Sequence, residues 1–335
     1  MYALSDTVPH KGSAVGQATL RRAVLFLLAI GAPLCAAVAQ HQPAGALIGC
    51  VCGMLFSFAD ENGALVKRLA ILALCASGIF VGGLAGLLLR GFPWPIWPLF
   101  ALACFATGQF NRIGKAPVMG ARLSAMALVV TSGTPELSLE ILWYVVLAFA
   151  VTVVVRLADH ALFGPMSPQA AVSRNAPAGG WTRFATAYTA AAVASLWLGV
   201  TLDPSRALWV VVTTLMVMQS DARTSYVRIV QRTAGTVVGV VIAYVVTIWL
   251  NGAWPIAAAV LLIAPLIPHH VQQRYWLHTA LIAVLVLLAY HLAATNLHIL
   301  RGLFTERLED VALGAGIALI GTMIAFPRTS PDDTA

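Results

Sequence analysis

Apolar runs close to the length of a bilayer crossing recur from one end of the chain to the other, and they fix the solvent in which it folds. A helix needs about 20 apolar residues to cross the hydrocarbon core. Candidate spans lie near residues 22–39, 44–59, 69–89, 94–110, 117–131 and 139–157, and again near 184–200, 206–219, 235–250, 254–268, 275–293 and 309–326. The runs at 44–59 and 206–219 are short, and each reads equally well as a re-entrant helix. Only 10% of the 335 residues are charged, against about 25% in soluble domains. Such a chain cannot cover a water-facing surface. The expected class is an all-α polytopic membrane protein of about twelve transmembrane helices, with membrane lipid as its surroundings.

The formal net charge of +7 would suggest nucleic acid as a partner, but its distribution argues against that. With the N-terminus in the cytoplasm, sixteen of the twenty Lys and Arg fall in or beside cytoplasmic loops. Only Arg90, Arg206, Arg301 and Arg307 fall on the other side. This is the positive-inside asymmetry, and it expects both termini in the cytoplasm. The stretch "LCAAVAQ" imitates a signal-peptidase site, yet cleavage there would break the repeat described next, so an uncleaved first span is expected. The five cysteines lie in apolar runs without histidine partners, which indicates packing rather than a disulfide frame, a metal site or a cofactor.

The two halves keep step. Arg22 precedes Asp60 by thirty-eight residues, and Arg183 precedes Asp221 by the same interval. "WPI" follows at Trp94–Ile96 and again at Trp254–Ile256. Gly78, Gly82 and Gly86 are echoed by Gly235, Gly239 and Ala243 at the same steps of four. The expected organisation is therefore a six-helix repeat over residues 1–163, a cytoplasmic linker over 164–180, a second six-helix repeat over 181–328 and a cytoplasmic tail over 329–335. Six spans is an even number, so the repeats would be parallel, related by an axis along the membrane normal.

The segment from Thr224 to Val246 carries the most chemistry. On a helix Arg228, Arg232, Gly235, Gly239 and Ala243 share one face, since steps of three and four return to the same side. Glycines on that face, like Gly78 and Gly82 in the first half, let a neighbouring helix approach closely. Guanidinium forks match carboxylates and stay charged when partly desolvated, so the arginines suit an organic anion at the cytoplasmic mouth of an inter-helix cavity. The bland alternative is positive-inside anchoring combined with helix packing.

Trp209, Thr213 and Gln219, followed by Arg228-x-x-x-Arg232-x-x-Gly235-Thr236-x-x-Gly239 and later by Arg307-Leu308-Glu309-Asp310 with Gly314, resemble the fusaric acid resistance and aromatic acid exporter family of bacterial inner-membrane proteins. The resemblance is clearest over residues 181–327. It implies proton-driven efflux of small aromatic carboxylic acids across the inner membrane, with partnership of a periplasmic membrane-fusion adaptor. It also implies substrate contacts from Arg228, Arg232, Trp209, Thr213 and Gln219. The sizeable cytosolic domain of many relatives has no counterpart here, and the arginine stripe is not duplicated in the first half.

Acids at membrane depth are costly and suggest function. Glu309, Asp310, Asp221 and Asp60 are the candidates for proton coupling, with helix capping and loop pairing as the bland alternatives. His278 and His291 suit interhelical hydrogen bonds, and the tryptophans near span ends suit an interfacial belt, Trp209 also suiting an aromatic substrate. No nucleotide loop, nucleophile elbow or zinc-protease motif is present, so an enzyme is not expected. The rivals to efflux are a non-transporting scaffold for an adaptor complex and a passive anion channel. The sequence leaves open the substrate and whether the chain forms an oligomer.

Overall fold

A computed structural model describes residues 11–134, 139–166, 177, 179–203, 207–250, 252–270, 274–293 and 297–326. Among these the chain is all-helical and carries no strand. The first half consists of α1 (Lys11–Ala39), α2 (Pro43–Phe58), α3 (Leu65–Leu88), α4 (Ile96–Phe110), α5 (Lys115–Gly133) and α6 (Leu142–Phe163). The second consists of α7 (Gly180–Leu202), α8 (Ala207–Val217), α9 (Ala222–Trp249), α10 (Ala253–Ile263), α11 (Ile267–His270), α12 (Tyr275–Ala293) and α13 (Leu297–Ala325). Most of the linker expected at 164–180, and all of the tail at 329–335, lie outside the described residues.

Eight of the helices are long and apolar enough to cross a membrane: α1, α3, α5, α6, α7, α9, α12 and the Phe304–Ala325 part of α13. The remaining apolar helices are shorter: Pro43–Phe58, Ile96–Phe110, Ala207–Val217 and Ala253–His269. Local chemistry accounts for the short ones. Pro95 stands at the N-cap of α4, and Pro265 and Pro268 follow α10, where proline removes helix donors. Beyond α8, Asp221 caps α9, its carboxylate accepting from the Thr224 N–H at 2.7 Å, so a new helix starts where the old one would continue. The result is a multi-pass membrane protein with lipid-facing valines and isoleucines such as Val230, Val241 and Ile248.

Successive helices alternate in direction. The start of α1 meets the end of α6, where Arg21 donates to the Gly164 carbonyl at 2.8 Å. The start of α7 meets the end of α13, where Arg183 donates to the Ile324 carbonyl. These contacts share one end of the bundle with the segments after α2, α4 and α8, and we call it the basic end. At the opposite end Tyr144 of α6 donates to Gln40, just past α1, and Arg90 donates to the Thr131 carbonyl of α5.

The glycines expected to allow close approach sit in two seams. A side chain built on Gly78 or Gly82 of α3 would strike the carbonyls of Gly120 or Ser124 on α5. One built on Gly235 or Gly239 of α9 would strike those of Trp276 or Ala280 on α12. Backbones this close exchange dispersion contacts and exclude lipid from the seam. The halves also interlock: α2 packs on α12, α5 on α8, α4 on α7 and α1 on α10. One core cluster accordingly joins Phe26, Ile30 and Met54 to Val260, Leu285 and Leu288.

Candidate functional site

Two groups of buried cations distinguish the two halves. In the first half Arg68, 1% exposed, grips Asp60 with both prongs of its fork, Nε to Oδ1 at 2.8 Å and Nη2 to Oδ2 at 3.0 Å. Its Nη1 reaches Asp159 on α6 at 2.7 Å. Arg21 of α1 closes on the same carboxylate at 2.5 and 2.9 Å. Arg156, fully buried, donates to the Arg68 and Phe56 carbonyls at 2.7 and 2.8 Å and lies 3.4 Å from Asp60. Two acids, three arginines and two backbone carbonyls thus tie α1, α2, α3 and α6 together at the basic end. Bidentate, fully desolvated pairs of this kind hold geometry well. Asp60, expected as a proton-coupling acid, is held in this network.

The second half places its arginines differently. Arg232 on α9 is 8% exposed and Arg307 on α13 is 6% exposed. The Nε of Arg232, and the Nε and Nη1 of Arg307, are buried without a hydrogen-bond partner among the described residues. Arg307 instead lies over the face of Trp209, 3.7 Å from the ring centroid, and Trp209 meets Tyr290 edge-on at 5.6 Å. Thr213 follows one turn after Trp209 on α8, wholly buried, its hydroxyl unpartnered and packed against Gly314. Thr279, whose Cβ faces Gly235, likewise has a buried hydroxyl without a partner among the described residues. Arg307 lies within electrostatic reach of Arg232, Tyr290 and Asp310.

Depth follows from helix geometry. At about 1.5 Å per residue, Arg232 lies about 15 Å from the start of α9, ten residues in, and Arg307 lies ten residues into α13 and three into its Phe304–Ala325 part. The two helices pack together and run in opposite directions, so the arginines approach the middle of the bundle from its two ends. A buried cation inside a span with open donors is expensive and by default marks a site.

The residues singled out by the sequence fall into three levels. Arg228 and Gln219 line one cavity at the basic end, where Arg228 also lies over the Tyr275 ring at 5.3 Å. Arg232 sits one turn deeper. Trp209 lies under Arg307, and Thr213 packs against Gly314 of α13. The tryptophans separate as well: Trp94 and Trp254 are exposed, as an interfacial belt requires, whereas Trp209 is half-buried under a guanidinium. Of the acids, Glu309 is exposed and Asp310 is 1% exposed. Asp221 is an exposed helix cap whose carboxyl is held below its usual range, chiefly by the Thr224 hydroxyl and also by the Thr224 N–H. His278 takes an interhelical contact, its Nδ1 3.3 Å from the Ile267 carbonyl.

Sequence reasoning missed Arg122 and Lys115 of α5, which line the cavity of Arg228, and it gave Arg307 no contact role. Arg122 looks like one more basic residue near a span end. The signal available was its place seven residues inside a helix that is apolar on either side.

Among known proteins, no curated protein and no solved structure matches the chain. Residues 189–321 match the family model described as fusaric acid resistance protein-like. The match runs from α7 into α13 and takes in Trp209, Gln219, Arg228, Arg232 and Arg307. Over this stretch the chain is similar to the family that its arginine and glycine spacing resembles.

Proposed function

We propose that this protein exports small aromatic carboxylic acids across a bacterial inner membrane. The observation that carries the reading is the pair of buried arginines, Arg232 and Arg307, whose open N–H groups have no partner among the described residues, with Trp209 under Arg307. A carboxylate would satisfy those donors, and an aromatic body would find Trp209 and Tyr290. The likeness of residues 189–321 to the fusaric acid resistance protein-like family supports a transporter rather than an enzyme. In this reading the basic end is cytoplasmic, both termini lie there, and a periplasmic adaptor meets the opposite end.

Proton coupling would fall to Asp310. Asp60 is held by Arg68 and Arg156, Asp221 is an exposed cap, and Glu309 is exposed. Asp310 alone of the four is both buried and near a substrate arginine.

The same reading includes two parallel six-helix repeats. The α3–α5 seam corresponds to the α9–α12 seam, Gly78 on Gly120 matching Gly235 on Trp276. The packing of α1 on α2 and α6 corresponds to that of α7 on α8 and α13, and the interlocking pairs exchange under the same correspondence.

The test is uptake of labelled 4-hydroxybenzoate by inverted membrane vesicles, with the pH gradient and the membrane potential collapsed separately. Loss of protein-dependent uptake on collapsing the pH gradient supports proton-driven export. Uptake that follows the potential alone supports a passive anion pathway, because the potential contributes about 2.3 kcal/mol per charge at 100 mV. Absence of protein-dependent uptake under every condition contradicts the proposal.

A further inference from the structure

The cavity at the basic end lies where the two halves meet. Its volume is about 220 Å³, and its polar lining comprises Glu61, Asn111, Lys115 and Arg122 from the first half with Gln219 and Arg228 from the second. Three cations therefore face one carboxylate, and that carboxylate, Glu61, already has an ion pair with Lys67 at 3.4 Å. Arg122 is 9% exposed, yet its Nε has no hydrogen-bond partner among the described residues. One of its terminal nitrogens lies 3.8 Å from the Met216 sulfur, a weak acceptor, and its charge also reaches Tyr188. Arg228 lies within electrostatic reach of Arg122. Two guanidinium groups are thus gathered in one pocket from opposite halves, with Glu61 as the single acid of its lining among the described residues.

The remaining lining is apolar. Phe58, Ile71 and Met119 form a wall against which a ring would pack. A cavity of about 150 Å³ takes benzene, so about 220 Å³ takes a single ring with a carboxylate attached. Gln219 does not compete for the anion with its amide nitrogen, which donates to the Met216 and Met218 carbonyls at 3.0 and 2.9 Å and finishes α8.

We infer that the cavity between the two halves is a second binding site, taking a monocarboxylate of about one aromatic ring on Arg122 and Arg228, with Lys115 at its rim. It rests on the export reading for its ligand class, but its position and donors are independent of Arg307. Arg228 and Arg232 are one helical turn apart, so a carboxylate released here meets the deeper arginines next. The site belongs to neither half alone, and this explains why it escapes a motif search along the chain.

The experiment is calorimetric binding of benzoate to the purified full-length protein in detergent. Arg122→Met is expected to weaken benzoate binding at least tenfold, and Lys115→Gln, at an exposed position, about threefold. Arg307→Met is expected to retain benzoate binding that remains sensitive to Arg122→Met in the double variant. Benzamide, uncharged and of equal size, is expected not to displace benzoate. Wild-type affinity in both Arg122→Met and Lys115→Gln overturns the inference, as does displacement of benzoate by equimolar benzamide. Should Arg122→Met fail to fold, wild-type affinity in Lys115→Gln and Arg228→Gln overturns it equally. Absence of transport by the wild-type protein in vesicles, with Arg122-dependent binding intact, would count against the export reading and leave this site standing.

Discussion

Both halves of the molecule bury arginines, yet the two sets do opposite things. In the first half Arg21, Arg68 and Arg156 surround Asp60 and Asp159, and nearly every prong has a partner at hydrogen-bond distance. In the second half Arg232 and Arg307 are also buried, but three of their nitrogens have no hydrogen-bond partner among the described residues, against one, the Arg156 Nε, in the first-half network. The difference teaches that burial of a charge does not by itself indicate function. A paired, bidentate network holds helices in place, whereas donors left open at depth call for an anion from elsewhere.

The comparison is sharpened first by breaking the network. Arg68→Ala leaves Asp60 and Asp159 buried without their shared partner, and is expected to cost about 3–5 kcal/mol. Thermal melting in detergent checks this, and Arg307→Met should show a smaller loss, since its Nε and Nη1 hold no hydrogen-bond partner among the described residues. A melting point for Arg68→Ala equal to wild type would erase the distinction between the halves.

The glycine seams come next. Gly82→Ala drives a methyl into the Ser124 carbonyl of α5, and Gly239→Ala drives one into the Ala280 carbonyl of α12. Overpacking of this kind costs about 1–3 kcal/mol. If the halves are built alike, the two substitutions should lower the melting temperature by similar amounts. A large effect in only one seam would argue against equivalent repeats.

The smallest effect concerns Asp221. Removing the cap by Asp221→Ala is expected to cost about 1 kcal/mol. Its folded-state pKa lies below the ordinary 3.8, so its contribution is present above that value and is lost as pH falls through the lower folded one. Asp221→Asn should therefore leave the pH dependence of transport between pH 5 and 8 unchanged, whereas Asp310→Asn should flatten it. An altered profile with Asp221→Asn would return that acid to the coupling mechanism.

Much of the fold was legible because membrane helices declare themselves locally: apolar runs mark the spans, and glycines at steps of four mark the seams. The short helices were readable in part, since prolines and the Asp221 cap lie in the sequence beside them. The charge networks were not legible. Arg68 meets Asp159 across 91 residues and Arg21 meets it across 138; the pairing of Asp60 with Arg68, eight residues on, is the local alternative that the sequence offered to proton coupling. Arg307 and Trp209 are brought together by the packing of α13 on α8, and Arg122 and Arg228 by the meeting of the halves. Spacing along one helix can place residues on a face, but it cannot say which face of another helix they meet.

The central claim is tested most directly by 4-hydroxybenzoate uptake into inverted vesicles carrying Arg307→Met, normalised to inserted protein and paired with its melting temperature. The account predicts a smaller loss of melting temperature than in Arg68→Ala, with uptake reduced at least tenfold. Wild-type uptake in that variant would show that the open arginine is not on the path of the anion, and would contradict the account.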